Sequence, residues 1–89
     1  MSTSDRFAGK VAVITGGTTG IGRAIARRFV SDGGKIVIGA RHDTLFEEIT
    51  QELGADNCWC QVCDVTNRAQ VDALVQAAYD KFNGFDVMF

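Results

Sequence analysis

The chain has 89 residues, of which 46% are hydrophobic and 22% charged, and its formal net charge at pH 7 is −2. This length allows at most one domain, and the near-neutral composition excludes a disordered segment and the basic surface that nucleic-acid binding requires. The first nine residues form a polar arm and no later run approaches the roughly 18 apolar residues of a membrane span, so we expect a cytoplasmic protein with no membrane partner.

The first predicted elements are a strand and a helix. Residues 10–15, KVAVIT, form a short Val/Ile-rich run that ends at a glycine. This pattern is typical of a parallel strand that is buried on both faces. From Ile21 onward, apolar residues recur at helical spacing as far as the stop at Gly33 and Gly34, which predicts a helix of about three turns.

The next elements repeat the alternation. Residues 35–40, KIVIGA, predict a second buried strand. A helix then begins with a capping box, Thr44 with Glu47, and ends before Gly54. Residues 58–65, CWCQVCDV, predict a third strand.

Three cysteines, Cys58, Cys60 and Cys63, lie within six positions of this third strand. Such an odd, tightly spaced set is a poor basis for a disulfide framework, so we expect reduced thiols. A closed zinc site needs four ligands, and His42 is the only histidine of the sequence. We therefore expect no metal site, with the cysteines acting as small apolar residues of a buried strand.

The last predicted elements are a third helix, capped by Thr66 or Asn67 and ending at Gly84, and a fourth strand that begins within residues 85–89, FDVMF. Alternating strands and helices with short connections are typical of a parallel sheet built from right-handed crossovers. The predicted fold class is therefore α/β.

A glycine cluster, TGGTTGIG, joins the first strand to the first helix. In this position it indicates a dinucleotide-binding loop. Gly16 permits the tight turn, Gly20 lets the backbone approach a pyrophosphate, and Gly22 lets the helix pack against the strand. The amides and dipole of the first helical turn then hold the anion, and Thr18 and Thr19 can add hydroxyl donors.

The end of the second strand indicates which cofactor is bound. In dinucleotide folds an acidic residue there binds the ribose hydroxyls, whereas an arginine accommodates a 2′-phosphate. The strand ends in Ala40 and Arg41, which favours NADP(H) over NAD(H). The alternative is that Arg41 is a solvated loop residue, and Asp43 can weaken the preference. Arg23 is expected to face solvent, near enough to the helix start to assist a phosphate.

The sequence resembles the short-chain dehydrogenase/reductase family, whose nucleotide loop reads Thr-Gly-x-x-x-Gly-Ile-Gly. The matching positions are Thr15, Gly16, Gly20, Ile21 and Gly22. The segments GKVAVITGG, DV and FNGFDVMF also look like that family's layout, and the resemblance extends from about Phe7 to Phe89. It implies a Rossmann-type parallel sheet of strand order 3-2-1-4 with helices on both faces, truncated in or after the fourth strand. Residues 1–89 would then be the amino-terminal half of a dinucleotide-binding domain.

The resemblance also assigns site residues. It implies that Asp64 accepts a hydrogen bond from the adenine amino group and that Val65 lines the adenine pocket, unless Asp64 only turns the chain before Thr66. The family's catalytic serine, tyrosine and lysine cannot be placed, because Tyr79, the only tyrosine, has Asn83 four positions later. We therefore expect no catalytic residue in this chain.

Two functions remain open. The first is the NADP(H)-binding portion of an oxidoreductase that acts on an alcohol or carbonyl, with a homo-oligomer possible for a full-length form. The second is a non-catalytic nucleotide-binding module, or the truncated relic of such an enzyme. In either case the fourth strand is expected to be an exposed apolar edge, which predicts a marginally stable, aggregation-prone or partner-dependent half-domain.

Overall fold

The structure is a computed structural model that describes residues 6–16 and 18–89. Strands and helices alternate along the described chain. Their bounds are β1 Val11–Thr15, α1 Gly20–Ser31, β2 Lys35–Ala40, α2 Phe46–Leu53, β3 Cys58–Val62, α3 Arg68–Phe82 and β4 Val87–Met88.

The strands form one parallel sheet in the order β3-β2-β1-β4. Val13 of β1 pairs with Val37 of β2, and Val37 pairs in turn with Trp59 of β3. The predicted α/β class, the parallel sheet and the strand order 3-2-1-4 are therefore confirmed.

The apolar runs of β1 and β2 are continuous because each strand is covered on both faces. Successive side chains of a strand point to opposite sides. Ala12, Ile14, Ile36 and Ile38 contribute to the core beneath α1 and α2, whereas Val13 and Val37 contribute to a second core beneath α3. The residues of these helices that complete the two cores are Ala26, Phe29, Ile49 and Leu53 on one face and Leu74, Ala77 and Ala78 on the other.

The edge strand β3 is also tied to α3 by an aromatic contact. The ammonium group of Lys81 lies 3.9 Å from the centroid of the Trp59 ring. A cation over the face of an indole is attracted by the negative face of the π system. This contact joins the outer surface of β3 to the last turn of α3.

The amino-terminal residues 6–9 of the predicted polar arm form a turn that packs on the carboxyl end of α1. The Phe7 ring stacks on Phe29 at 4.4 Å between centroids. The Asp32 carboxylate, which is buried, accepts hydrogen bonds from Arg6 at 2.8 Å and Arg28 at 3.0 Å. Residues 1–5 of the arm lie outside the described residues.

Several predicted boundaries were wrong. Thr44 does not cap α2, because residues 43–46 form a turn in which the Phe46 amide donates to the Asp43 carbonyl at 3.1 Å, and the N-cap position is Leu45. The third strand ends at Val62 rather than at residue 65. Of the two candidate caps of α3, Asn67 is the one used, and its side chain accepts a hydrogen bond from the Gln70 amide at 3.1 Å.

In the part of the chain that the structure describes, no helix has the length and apolar character needed to cross a membrane.

Candidate functional site

The first turn of α1 presents backbone amides without a side-chain cap. Thr19 occupies the N-cap position with an extended backbone, φ −141° and ψ 161°, and its side chain makes no capping hydrogen bond. The first hydrogen bond of the helix is donated by the Arg23 amide to the Thr19 carbonyl oxygen, at 3.2 Å. The amides of residues 20–22 precede this bond and have no intrahelical acceptor. No acidic side chain lies in this turn, so the positive end of the helix dipole is not neutralised locally.

Two glycines of the loop have backbones that other residues rarely adopt. Gly16 has φ +74° and Gly20 has φ +58°. A Cβ added to either residue would meet no atom of the described chain within 4 Å. Packing within the described chain therefore does not require a glycine at these positions, whereas the left-handed backbone conformation favours one.

The loop opens into a cleft of about 470 Å³ at the carboxyl ends of β1 and β2. Five predicted site residues line it together: Gly16, Thr18, Thr19, Arg41 and Val65. In parallel α/β sheets, this end of the strands is where ligands bind.

The other predicted site residues border this cleft without lining it. Gly20, Ile21 and Gly22 lie in the first turn of α1. The Ile21 side chain is 81% exposed and contributes to a separate apolar groove with Phe29 and Phe89. Asp64 lies between Cys63 and Val65, both of which line the cleft.

The carboxylate of Asp64 fixes the turn after β3. Its Oδ1 atom accepts a hydrogen bond from the Thr66 hydroxyl at 2.7 Å and another from the Thr66 amide at 2.9 Å. The Asp64 amide donates to the side-chain oxygen of Gln70 at 2.7 Å. The Thr66 hydroxyl and amide, and then the positive charge of Arg41, lower the pKa of Asp64. The group is thus an ionised, acceptor-only carboxylate at neutral pH.

Arg23 is not available to a phosphate as the sequence suggested. Its side chain is only 20% exposed and forms ion pairs with Glu48 at 2.7 Å and Glu52 at 2.9 Å. These two carboxylates of α2 bind the guanidinium group and hold it on the side of α1 that faces α2. The sequence alone could not identify them, because the pairing depends on how the two helices lie side by side.

Some cleft residues were missed by the sequence reasoning. The walls also include Thr15, Gly39, Ala40, His42, Thr44, Leu45 and Cys63. Their position in the sequence could have identified some of them. His42, Thr44 and Leu45 lie in the connection between β2 and α2, which passes over the cleft. Gly39 serves packing, since a Cβ there would lie 2.6 Å from Leu74 Cδ2.

The family model for short chain dehydrogenase matches residues 10–89. Momilactone A synthase of Oryza sativa subsp. japonica is 45% identical over 84 residues, which cover 94% of this chain and 31% of that protein. (+)-Borneol dehydrogenase 1 of Salvia officinalis is 41% identical over 88 residues, which cover 99% of this chain and 34% of that protein.

Among solved structures, a 3-ketoacyl-(acyl-carrier-protein) reductase from Brucella melitensis, complexed with NADH, superposes with a TM-score of 0.86 at 39% identity. The match covers 92% of this chain and 34% of the reductase. The fold described above is that of a parallel α/β protein, and the chain is a member of the short-chain dehydrogenase family. It spans about a third of the length of these relatives.

Proposed function

We propose that residues 1–89 are the amino-terminal half of a dinucleotide-binding domain, and that they bind NADP(H) for an oxidoreductase acting on an alcohol or carbonyl. The observation that carries this proposal is the glycine loop. Gly16 and Gly20 hold left-handed backbones beside open space, next to uncapped amides and a cleft of about 470 Å³. A bound nicotinamide dinucleotide supplies the hydride acceptor or donor of the reaction.

The diphosphate is assigned to the first turn of α1. The amides of Gly20, Ile21 and Gly22 donate to its oxygens, and the helix dipole favours its negative charge. Thr18 and Thr19, which line the cleft, add hydroxyl donors. Because the turn has no acidic residue, the anion meets no like charge there.

The adenine is assigned to the turn after β3. Both hydrogen bonds from Thr66 fall on Oδ1 of Asp64, so the turn-forming role does not use Oδ2. We assign Oδ2 as the acceptor for the adenine amino group. Val65, 59% exposed at the cleft, supplies an apolar surface for the ring.

The 2′-phosphate is assigned to Arg41. This residue is exposed, lines the cleft and follows directly after the last residue of β2. A guanidinium group binds phosphate through charge-assisted hydrogen bonds, each contributing about 1.5–3 kcal/mol. Ala40 occupies the position where an acidic residue would favour the ribose hydroxyls of NAD(H).

The position of Tyr79 favours a second candidate function. In this candidate, the 89 residues bind a nucleotide but do not catalyse a reaction themselves. This single tyrosine lies on α3, on the opposite sheet face from α1, and packs edge-on against Phe85 at 6.1 Å. It has no lysine four positions later. We expect the 89-residue chain to bind the cofactor and to transfer no hydride to or from alcohols and carbonyls.

The test is a calorimetric titration of the chain with 2′,5′-ADP and with 5′-AMP. We expect tighter binding of 2′,5′-ADP, and an Arg41→Ala variant that loses roughly tenfold to a hundredfold in affinity for 2′,5′-ADP alone. Arg68→Ala is the matched control, because that arginine is 89% exposed at the start of α3 and outside the cleft. Equal affinities for the two nucleotides would overturn the phosphate assignment, and no binding of either would overturn the proposed function.

A further inference from the structure

Gln70 lies in the first turn of α3, and its side chain reaches out of that helix. Its backbone amide donates to the side chain of the N-cap residue, Asn67, at 3.1 Å. In a capping box, a glutamine at this third helical position bonds back to the amide of the N-cap residue. The side-chain oxygen of Gln70 instead accepts a hydrogen bond at 2.7 Å from the amide of Asp64, three residues before the cap. The Gln70 side chain therefore supports the turn after β3 rather than the end of α3.

Asp64 is the first residue beyond the sheet, and hydrogen bonds fix both its backbone and one carboxylate oxygen. Cys63, just before it, still donates its amide to the end of β2 at 2.8 Å. The Asp64 amide is held by Gln70, and its carbonyl accepts from the Asn67 amide at 2.9 Å. Its Oδ1 atom accepts both hydrogen bonds from Thr66. The position of Oδ2, which the turn does not use, is thus set by the bonds to the rest of the residue.

A carboxylate distinguishes two purine bases by the group that each base carries at position 6. Adenine carries an amino group there, which donates a hydrogen bond to an ionised carboxylate. Hypoxanthine carries a carbonyl oxygen, which the carboxylate repels, and its nearest donor is the N–H of the adjacent ring atom. A carboxylate that is free to move can shift to that N–H and accept either base. Discrimination between the two bases therefore depends on how firmly the carboxylate is held.

We propose that Gln70 is a positioning residue for base recognition, which holds Asp64 so that the site selects adenine over hypoxanthine. This inference rests on the proposed binding of NADP(H) in the cleft that Cys63 and Val65 line. Gln70 acts through Asp64 and is assigned no contact with the nucleotide. A neutral side chain suits this role, because glutamine supplies an acceptor oxygen without placing a second negative charge beside the carboxylate of Asp64.

The experiment measures, by calorimetric titration of the folded chain, the dissociation constants of NADP⁺ and of nicotinamide hypoxanthine dinucleotide phosphate. We expect the wild-type chain to bind the adenine form roughly tenfold more tightly. Gln70→Met removes the acceptor oxygen and keeps the length and helix propensity of the side chain, and it should lower this ratio severalfold. Gln70→Glu keeps an acceptor oxygen and should preserve the ratio. Because the two dinucleotides carry the same phosphates, the effect of the added charge on their binding cancels in the ratio.

Gln76→Met is the matched control. Gln76 lies on the same helix, and its side-chain amide donates to the Asp80 carboxylate at 3.0 Å, so this variant also loses one glutamine hydrogen bond. Urea unfolding measures the stability of both variants, and only Gln70→Met should change the ratio of the dissociation constants. If Gln70→Met does not fold, Gln70→Asn replaces it, because its amide is one methylene group too short to reach the Asp64 amide. Gln70→Asn should lower the ratio in the same way.

Asp64→Asn tests the contact through which Gln70 acts. The Thr66 donors retain the side-chain oxygen, so the new amide nitrogen takes the place of Oδ2 and donates to the carbonyl oxygen of hypoxanthine, which should invert the preference. Equal binding of the two dinucleotides by the wild-type chain, a wild-type ratio in Gln70→Met or Gln70→Asn, or an unchanged preference in Asp64→Asn would overturn this inference and leave cofactor binding intact. A wild-type chain that does not bind NADP⁺ would overturn the proposed function and this inference with it.

Discussion

Glycines of one chain serve different purposes at different positions. Gly39 is required by packing, because Leu74 and Cys63 occupy the space of a side chain. Gly20 has open space beside it and a positive φ. The first kind of glycine is required by packing, whereas the second combines a backbone requirement with open space beside it.

This distinction predicts the behaviour of Gly20→Ala. A left-handed backbone costs a non-glycine residue roughly 1–2 kcal/mol, and the added methyl group enters the space assigned to the diphosphate. We expect a modest loss of stability and a loss of affinity for 2′,5′-ADP of roughly tenfold or more, measured by denaturant unfolding and calorimetry.

Gly54→Ala is the matched control for this prediction. Gly54 also has positive φ, +96°, but it follows α2 and its added Cβ would meet only the Asn57 side chain. It should lower stability and leave nucleotide affinity unchanged. Equal effects of the two variants on affinity would contradict the assignment of Gly20.

At the scale of elements, α1 and α2 are joined by an ionic network on their outer surface. Glu52 of α2 accepts hydrogen bonds from Arg27 and from Arg23, and Arg23 also binds Glu48. Arg27 and then Arg23 lower the pKa of Glu52 below its ordinary value of 4.5. The pairs are partly solvated, so their contribution depends on salt.

Glu52→Gln is therefore expected to lower Tm near neutral pH. Because the folded pKa lies below the unfolded one, the contribution of Glu52 is fully present above about pH 4.5 and is lost as pH falls through the folded pKa. The difference in Tm between wild type and variant should shrink in acid and in high salt, as measured by scanning calorimetry. An Arg27→Gln substitution should lower Tm less in the Glu52→Gln background than in the wild type. Strictly additive effects on Tm, or a Tm difference between wild type and Glu52→Gln that grows in acid, would contradict the role of the network.

The sequence predicted the strands and helices from local signals, and failed at the residues where some of these elements begin or end. The strands β1 and β2 followed from continuous Val and Ile runs, and the stop of α1 followed from paired glycines. The cap of α2 at Thr44 was wrong, because the turn of residues 43–46 satisfies the backbone before the helix begins. Asn83 ends α3 in a left-handed conformation, φ 66°, and its role could not be separated from that of Gly84 without coordinates.

For the candidate site, the sequence indicated individual residues but not the contacts between elements. The loop glycines, Arg41 and Val65 could be found because they occupy fixed positions after parallel strands. The support of Asp64 by Gln70 could not be found, since it arises only when α3 folds back over the end of β3. The pairing of Arg23 with α2 was missed because it likewise depends on how two elements pack, here α1 beside α2.

At the scale of the whole molecule, one end of the sheet exposes apolar side chains. Val87, Met88 and Phe89 are 36%, 43% and 52% exposed, and Ile21 on the neighbouring helix is 81% exposed. β4 pairs with β1 on one side only in the described sheet. Unpaired apolar strand edges recruit other chains.

The 89-residue chain is therefore expected to self-associate as its concentration rises, with sedimentation velocity as the measurement. Val87→Lys should reduce this association, because a lysine on an edge strand opposes pairing. Ala73→Lys is the control for altered net charge, because it adds the same positive charge at an exposed position of α3, away from β4. A compact monomer at all concentrations, with a sharp melting transition, would contradict the expectation.

The contact of Lys81 with Trp59 has a practical consequence. Trp59 is the single tryptophan of the chain, and its ring lies 3.9 Å beneath the ammonium group contributed by the final turn of α3. Its intrinsic fluorescence is consequently sensitive to the docking of the last helix onto the outermost strand, and stopped-flow emission can follow the assembly of this side of the sheet during refolding without any added label.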